Sequence, residues 1–162
     1  MSTSSHYSSP LLNLALIERL DCLTRQFGTI TIPQPVWAEL TAGEDGLREI
    51  QAFRRSDDVT VVPVDRSSLV RELTTRLDSG EAAAIAHALD IDADRVLIDE
   101  REGRRVARRH DLDVTGAIGI LIRAAVDGPV ADLQGELDAL RDAGFWISDD
   151  LFERALRDAR TD

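Results

Sequence analysis

Apolar positions along the 162-residue chain fall alternately into helical and strand periodicities. Leu11, Leu12, Ala15, Leu16, Leu20 and Leu23 recur at three- and four-residue steps, which predicts one amphipathic helix over residues 9–27. Ser9 is its expected N-cap, with Pro10 at the first helical position. The β-branched run 29–33 predicts a strand stopped by Pro33, and 33–43 a short helix ended by Gly43. A more polar helix is expected over 44–55 and a strand over 59–64. Helical patterns follow over 66–78 and, after a break at Gly80, to residue 90. Residues 95–98 read as a short buried strand, 100–110 as a highly charged helix and 112–116 as a last strand. The apolar stretch 116–128 predicts a helix packed on both sides. Two amphipathic helices, over 132–144 and 151–160, complete the pattern. This alternation predicts an α/β fold with a parallel sheet, organised as one domain over residues 1–162.

Charge adds a second layer. Thirty Asp and Glu face nineteen basic residues, for a net charge of −11, and all nineteen basic residues are arginine. A lysine-free, carboxylate-rich surface is the expected mark of a halophile, since dense carboxylates stay solvated where salt screens them. A GC-rich genome, which favours arginine codons, is the alternative. Either way, adhesion to nucleic acid through overall charge is excluded, and any such contact must be local. No apolar run is long enough for a membrane span, and the Ser-rich start lacks the basic region of a secretory signal. With the single Cys22 excluding an internal disulfide, a cytoplasmic location is expected.

Familiar chemistries are missing: the sequence has no phosphate loop, no dinucleotide-binding glycine fingerprint, no nucleophile elbow and no paired histidines. The reactive material is acidic. Open parallel sheets place their sites beyond the carboxyl ends of the strands. Asp99 directly follows the 95–98 strand, with Glu100 behind it. Glu81 opens the helix after Gly80, and Glu39 lies on the helix after Pro33. Carboxylates meeting there would repel one another unless a divalent cation neutralised them, and oxygen-only ligands suit Mg²⁺ or Mn²⁺. Such a centre serves metal-assisted phosphodiester hydrolysis. Local capping is the competing account: Asp78 with Glu81, and Asp99 with Glu102, both have the D-x-x-E form of a capping box. Glu39 reads equally as a solvated helix residue. Arg101, Arg104, Arg105, Arg108 and Arg109 share much of one helix face, which suits a phosphate backbone or, equally, internal pairing with Glu100, Glu102 and Asp111. Trp37 and Trp146 are expected in the core or at a partner contact. Cys22 is expected to pack as a small hydrophobe, His87 to be half-buried or on a helix surface, and His110 to end its helix.

In order, the segments SSPLLNLALIERLDCL, TIPQPVWAEL, LDSGEAAAIAHAL, VLIDEREGRRVARR and LDVTGAIGILIRA resemble the PIN-domain proteins, most nearly a short prokaryotic branch of predicted nucleic-acid-binding proteins related to VapC toxins. The resemblance spans residues 8–147. It implies a three-layer α/β/α sandwich around a central parallel sheet, a Mg²⁺- or Mn²⁺-dependent ribonuclease, a small antitoxin as partner and a homodimer. Residue by residue, Glu39, Glu81 and Asp99 match the family's acids, and Glu100 falls where the branch often has another. Arg104 matches the branch's arginine, and Thr115, Gly116 and Gly119 match its TG-x-x-G helix start. The front departs from the pattern. Where the family has an apolar strand ending in Asp, Tyr7 stands at the Asp position behind a polar run. That predicts a degenerate first strand over residues 1–8 and a weakened site; an inactive module that binds a small antitoxin or another protein is the rival reading. A receiver-like domain would need a lysine that the chain lacks.

Overall fold

A computed structural model of the chain describes residues 9–64 and 67–160. The first strand expected over residues 1–8, and Tyr7 with it, lies outside the described residues. Ser9 and Pro10 start α1 (Pro10–Leu16) as the sequence predicts: the Ser9 hydroxyl accepts from the Leu11 N–H at 3.2 Å, satisfying one orphan donor of the first turn. The single helix expected over 9–27 is instead two. Glu18 takes a left-handed backbone at φ 59°, and the Arg19 N–H donates to the Leu14 carbonyl at 2.8 Å, closing α1 before α2 (Asp21–Phe27) begins. The turn lets Leu14, Leu20 and Leu23 all reach the core, which one straight helix would not require.

β1 (Ile30–Pro33) runs into α3 (Gln34–Ala42), with Pro33 at its N-cap and Gly43 at its C-cap. α4 (Leu47–Arg54) leads to β2 (Val59–Val62), which pairs parallel to β1 with Ile30 opposite Val59. The second half repeats the scheme. α5 (Ser68–Leu73) and α6 (Ser79–Asp90) precede β3 (Val96–Leu97), and α7 (Arg101–Arg109) returns the chain to β4 (Val114–Thr115), again parallel. Helical crossovers are what parallel neighbours demand. The α/β class is therefore as predicted. Among the described residues, however, the strands form two parallel pairs, β1–β2 and β3–β4, where one central sheet was expected.

The core divides along the same line. Leu14, Leu23, Ile32, Ile50, Leu121 and Leu137 belong to one apolar cluster, which includes β1, β2, α8 (Ala117–Asp127), α9 (Leu133–Asp142) and α10 (Asp149–Arg160). Ile85, Val96, Ile98, Val106 and Ala107 belong to a second, around β3, α6 and α7. α8 departs from the expected two-sided packing. Ala117, Ile120, Leu121 and Ala124 are buried, but Gly119, Arg123 and Asp127 form an exposed stripe at four-residue spacing. Cys22 is buried as a small apolar residue, His87 is half-buried and His110 caps the end of α7. Trp37 packs against the first cluster, whereas Trp146 is 82% exposed and so is not a core residue. Among the described residues no helix is long and apolar enough to cross a membrane.

Candidate active site

A groove of about 1060 Å³ separates β1 from β3, and Glu39, Glu81 and Asp99 all line it. Each acid is set by a different element. Glu39 stands on α3, one residue before the buried Leu40 that anchors that helix. Its carboxylate accepts from the Ser79 hydroxyl at 3.5 Å and faces the Gly80 backbone N–H. Partial burial, with the nearby Asp78 charge, raises its pKa above the usual 4.5.

Glu81 sits in the first turn of α6. The Asp78 carboxylate caps that helix, accepting from the Glu81 N–H at 2.8 Å, and the Asp78 N–H faces the Glu81 carboxylate in return. The capping box expected from D-x-x-E spacing is thus present here. It does not make Glu81 an idle structural residue. Burial first, then the charges of Asp78, Glu100 and Glu39, push its pKa up to about 7. Four carboxylates share this corner, and the charges of the other three add to the burial of Glu81.

Asp99 follows β3 and is held from two sides. Asn13 on α1 donates through Nδ2 to Asp99 Oδ2 at 2.9 Å, and the Ala117 N–H at the start of α8 donates to Oδ1, also at 2.9 Å. Burial raises the Asp99 pKa, opposed by these two hydrogen bonds and by the Arg104 charge. The second expected capping box, Asp99 with Glu102, is not formed. Glu100 is the N-cap of α7 and accepts from the Glu102 N–H at 2.9 Å, so Asp99 is left to the groove.

Three glycines make room for the three acids. A Cβ on Gly80 would lie 2.9 Å from both Glu39 carboxylate oxygens. One on Gly103 would lie 3.1 Å from Glu81 Oε2 and 2.9 Å from an Ile98 methyl. One on Gly116 would overlap Asp99 Oδ1. Gly119 serves the Thr115 hydroxyl similarly, at 2.9 Å. The glycines of SGE, EGR and TG therefore act as contact surfaces for side chains distant in sequence.

The arginines of α7 do not act as one face. Arg104 is half-buried and turned toward Asp99. Arg105 forks onto Glu102 at 2.8 and 2.9 Å, as internal pairing predicts. Arg101, Arg108 and Arg109 are exposed. Asn13 was not legible as a site residue. Its only signal is a polar side chain between Leu12 and Leu14, and it is the buried polar residue of the described core. Asn13→Ala is expected to cost about 1–2 kcal/mol in urea unfolding and to raise the Asp99 pKa further, followed by carboxyl ¹³C shifts, because a buried acceptor loses a donor.

Two parallel strand pairs flanked by helices, with acids gathered where β1 and β3 end, define a parallel α/β protein with an acidic groove. The chain belongs to the PIN-domain family: the model of a PIN domain matches residues 7–161. No curated protein and no solved structure matches it significantly. The donor set in the groove is hard oxygen, the chemistry that Mg²⁺ and Mn²⁺ prefer. Among the described residues, no three His, Cys, Asp or Glu side chains already stand close enough to hold an ion. The acids share one groove without closing on one point.

Proposed function

We propose that this PIN-domain chain is a Mg²⁺- or Mn²⁺-dependent endoribonuclease, the toxin component of a toxin–antitoxin pair from the VapC-related branch. The observation that carries the reading is that Glu39, Glu81 and Asp99, from three separate elements, line one groove with raised pKa values. Such acids are short of positive charge, which a divalent cation supplies. In this reading Glu39, Glu81 and Asp99 would hold the ion, which when bound would supply activation of a water and neutralisation of phosphate charge. Asn13 and Arg104 hold Asp99 in place. Glu100 orients the attacking water, and Arg101, Arg105 and Arg108 meet RNA phosphates around α7. With Tyr7 in place of a carboxylate, activity is reduced. The protein works in the cytoplasm, at high salt, with a small antitoxin as partner and a second copy as dimer mate.

A non-catalytic module that binds the antitoxin alone is the second reading. It is favoured by the lack of a ready-made three-ligand cluster among the described residues. Calorimetric titration with Mn²⁺ in high-KCl buffer separates the two. Saturable binding by the native chain, weakened at least about tenfold by Asp99→Asn, together with Mn²⁺-dependent RNA cleavage lost in the same variant, is the expected result. Equal affinity and equal cleavage in Asp99→Asn would show the site to be misassigned. Absence of binding by the folded native chain would favour the non-catalytic module.

A further inference from the structure

Of the large apolar side chains described, Trp146 is the most exposed, at 82%. Its neighbours Phe145 and Ile147 are half-buried and buried. The indole is held out by a bonded turn. After α9 the Gly144 and Phe145 N–H groups donate to the Arg141 and Leu140 carbonyls at 3.0 and 2.9 Å, with Gly144 left-handed at φ 106°. This pair of bonds around a left-handed glycine is the Schellman closure of a helix. Arg141 secures the turn a second time. Its Nη2 donates to the Ile147 carbonyl at 2.8 Å, and its guanidinium lies over the Phe152 ring at 4.3 Å. An indole on such a mount offers a large contact area and has little freedom to lose when covered.

The segment that presents the indole is acidic. Asp138, Asp142, Asp149, Asp150 and Glu153 are all exposed, and the one arginine among residues 138–153, Arg141, is turned onto Phe152 and Asp149. Helix dipoles account for Asp149 and Asp150, which open α10. They oppose Asp142, the last residue of α9, and Asp138 stands four residues before it as a like-charged pair. Local structure gains nothing from those two acids. A cation over the indole would relieve both and would be drawn to the ring face. The same acids repel the phosphates of a nucleotide stacked on Trp146, and they repel an anionic membrane surface. A cationic polypeptide is what remains. Trp146 does not line the acid groove, so this surface is separate from it.

We infer that the α9–α10 turn is a docking surface for a cationic segment of a partner protein. An arginine or lysine of that segment covers the Trp146 indole, and flanking cations meet Asp138 and Asp142 on α9 and Asp150 on α10.

The probe is a synthetic peptide, acetyl-GRLRGRLRG-amide, with a control in which glutamine replaces every arginine. Both are titrated at the lowest KCl concentration at which circular dichroism shows the native chain folded. Fluorescence of the native chain should shift to the blue as the Trp146 indole leaves water, over a constant background from Trp37, which packs against the core. Calorimetry should give saturable binding, weakened at least about tenfold in Trp146→Ala and at least about threefold in the double variant Asp138→Asn, Asp142→Asn. Glu44→Gln with Asp45→Asn removes two exposed acids elsewhere and should bind within about twofold of the native chain. Absence of binding by the arginine peptide, or equal binding of the glutamine peptide, would overturn the proposal. So would unchanged affinity in Trp146→Ala, or equal weakening by the Glu44 and Asp45 changes, which would mark diffuse attraction to net charge. Self-association in sedimentation that Trp146→Ala abolishes would assign the surface to a second copy and overturn the foreign partner. Should Trp146→Ala fail to fold, the fluorescence shift and the Asp138, Asp142 variant decide.

Discussion

Gly116→Ala is expected to destabilise the protein by about 2–4 kcal/mol, a large effect for one added methyl group. The backbone at Gly116 is extended, with φ −124° and ψ −174°, a conformation alanine adopts freely, so no conformational strain enters. The cost arises because the new Cβ overlaps Asp99 Oδ1 and lies 3.1 Å from Arg104 Nη1. Asp99 must then move, and it cannot do so without loosening its bonds from Asn13 and the Ala117 N–H. A carboxylate that loses buried donors adds its own penalty to the steric one. Gly43→Ala is the matched control. Gly43 is also extended, at φ −96°, and a Cβ there meets nothing within 4 Å, so its change should stay within about 0.5 kcal/mol. Urea unfolding of both variants checks the contrast. A double-mutant cycle with Asp99→Ala should recover much of the Gly116→Ala loss, since removing the carboxylate removes the overlap. Equal destabilisation by Gly116→Ala in the presence and absence of Asp99 would refute the steric account.

The same contacts explain what a linear reading can and cannot reach. Glu81 and Asp99 are betrayed locally, by the start of a helix and the end of a strand, where the chain turns and leaves a carboxylate; Glu39 lies within α3 and is marked only by its place on the helix that follows β1. Their shared groove is likewise anticipated by the rule for parallel sheets. The glycines are a different matter. Gly80 reads as a helix break, yet it is shaped by Glu39, and Gly103 within α7 is shaped by Glu81. Nothing in the local pattern names those partners. Asn13 fails for the same reason, as its hydrogen bond spans 86 residues. The split of the first helix at Glu18 fails for a related one: apolar spacing continues through the turn, and what breaks the helix is a left-handed residue beside the tertiary Arg19–Glu136 ion pair at 2.7 Å. The arginines of α7 share a sequence face, but only tertiary placement separates Arg104, turned toward Asp99, from its exposed neighbours.

Glu81→Gln is expected to stabilise the protein above neutral pH and to leave it nearly unchanged in acid. The Glu81 carboxyl titrates near 4.5 in the unfolded chain and about 7 in the folded one, chiefly through burial and then through Asp78 and Glu100. Between those values the folded state holds a proton that the unfolded state has released. Stability must therefore fall as pH rises from about 4.5 and level off above 7. A displacement of that size corresponds to about 3 kcal/mol; because Glu81 keeps some contact with water, about 2 kcal/mol is the expected loss. Glutamine retains the carbonyl oxygen that accepts from the Asp78 N–H, so the helix start survives the change. It never ionises, so the penalty disappears. The difference in unfolding free energy between Glu81→Gln and the native chain, measured in urea with EDTA from pH 4.5 to 8.5, should rise from near zero to about 2 kcal/mol, most of the rise falling between about pH 4.5 and 7 and the plateau lying above 7. Carboxylates remote from Glu81 contribute equally to both proteins and cancel in the difference. A difference independent of pH would mean that Glu81 ionises freely at the head of α6 and bears no strain from its neighbours. With Mn²⁺ in place of EDTA, the penalty in the native chain should shrink, because a cation held by ionised carboxylates lowers the very pKa that burial and repulsion raise.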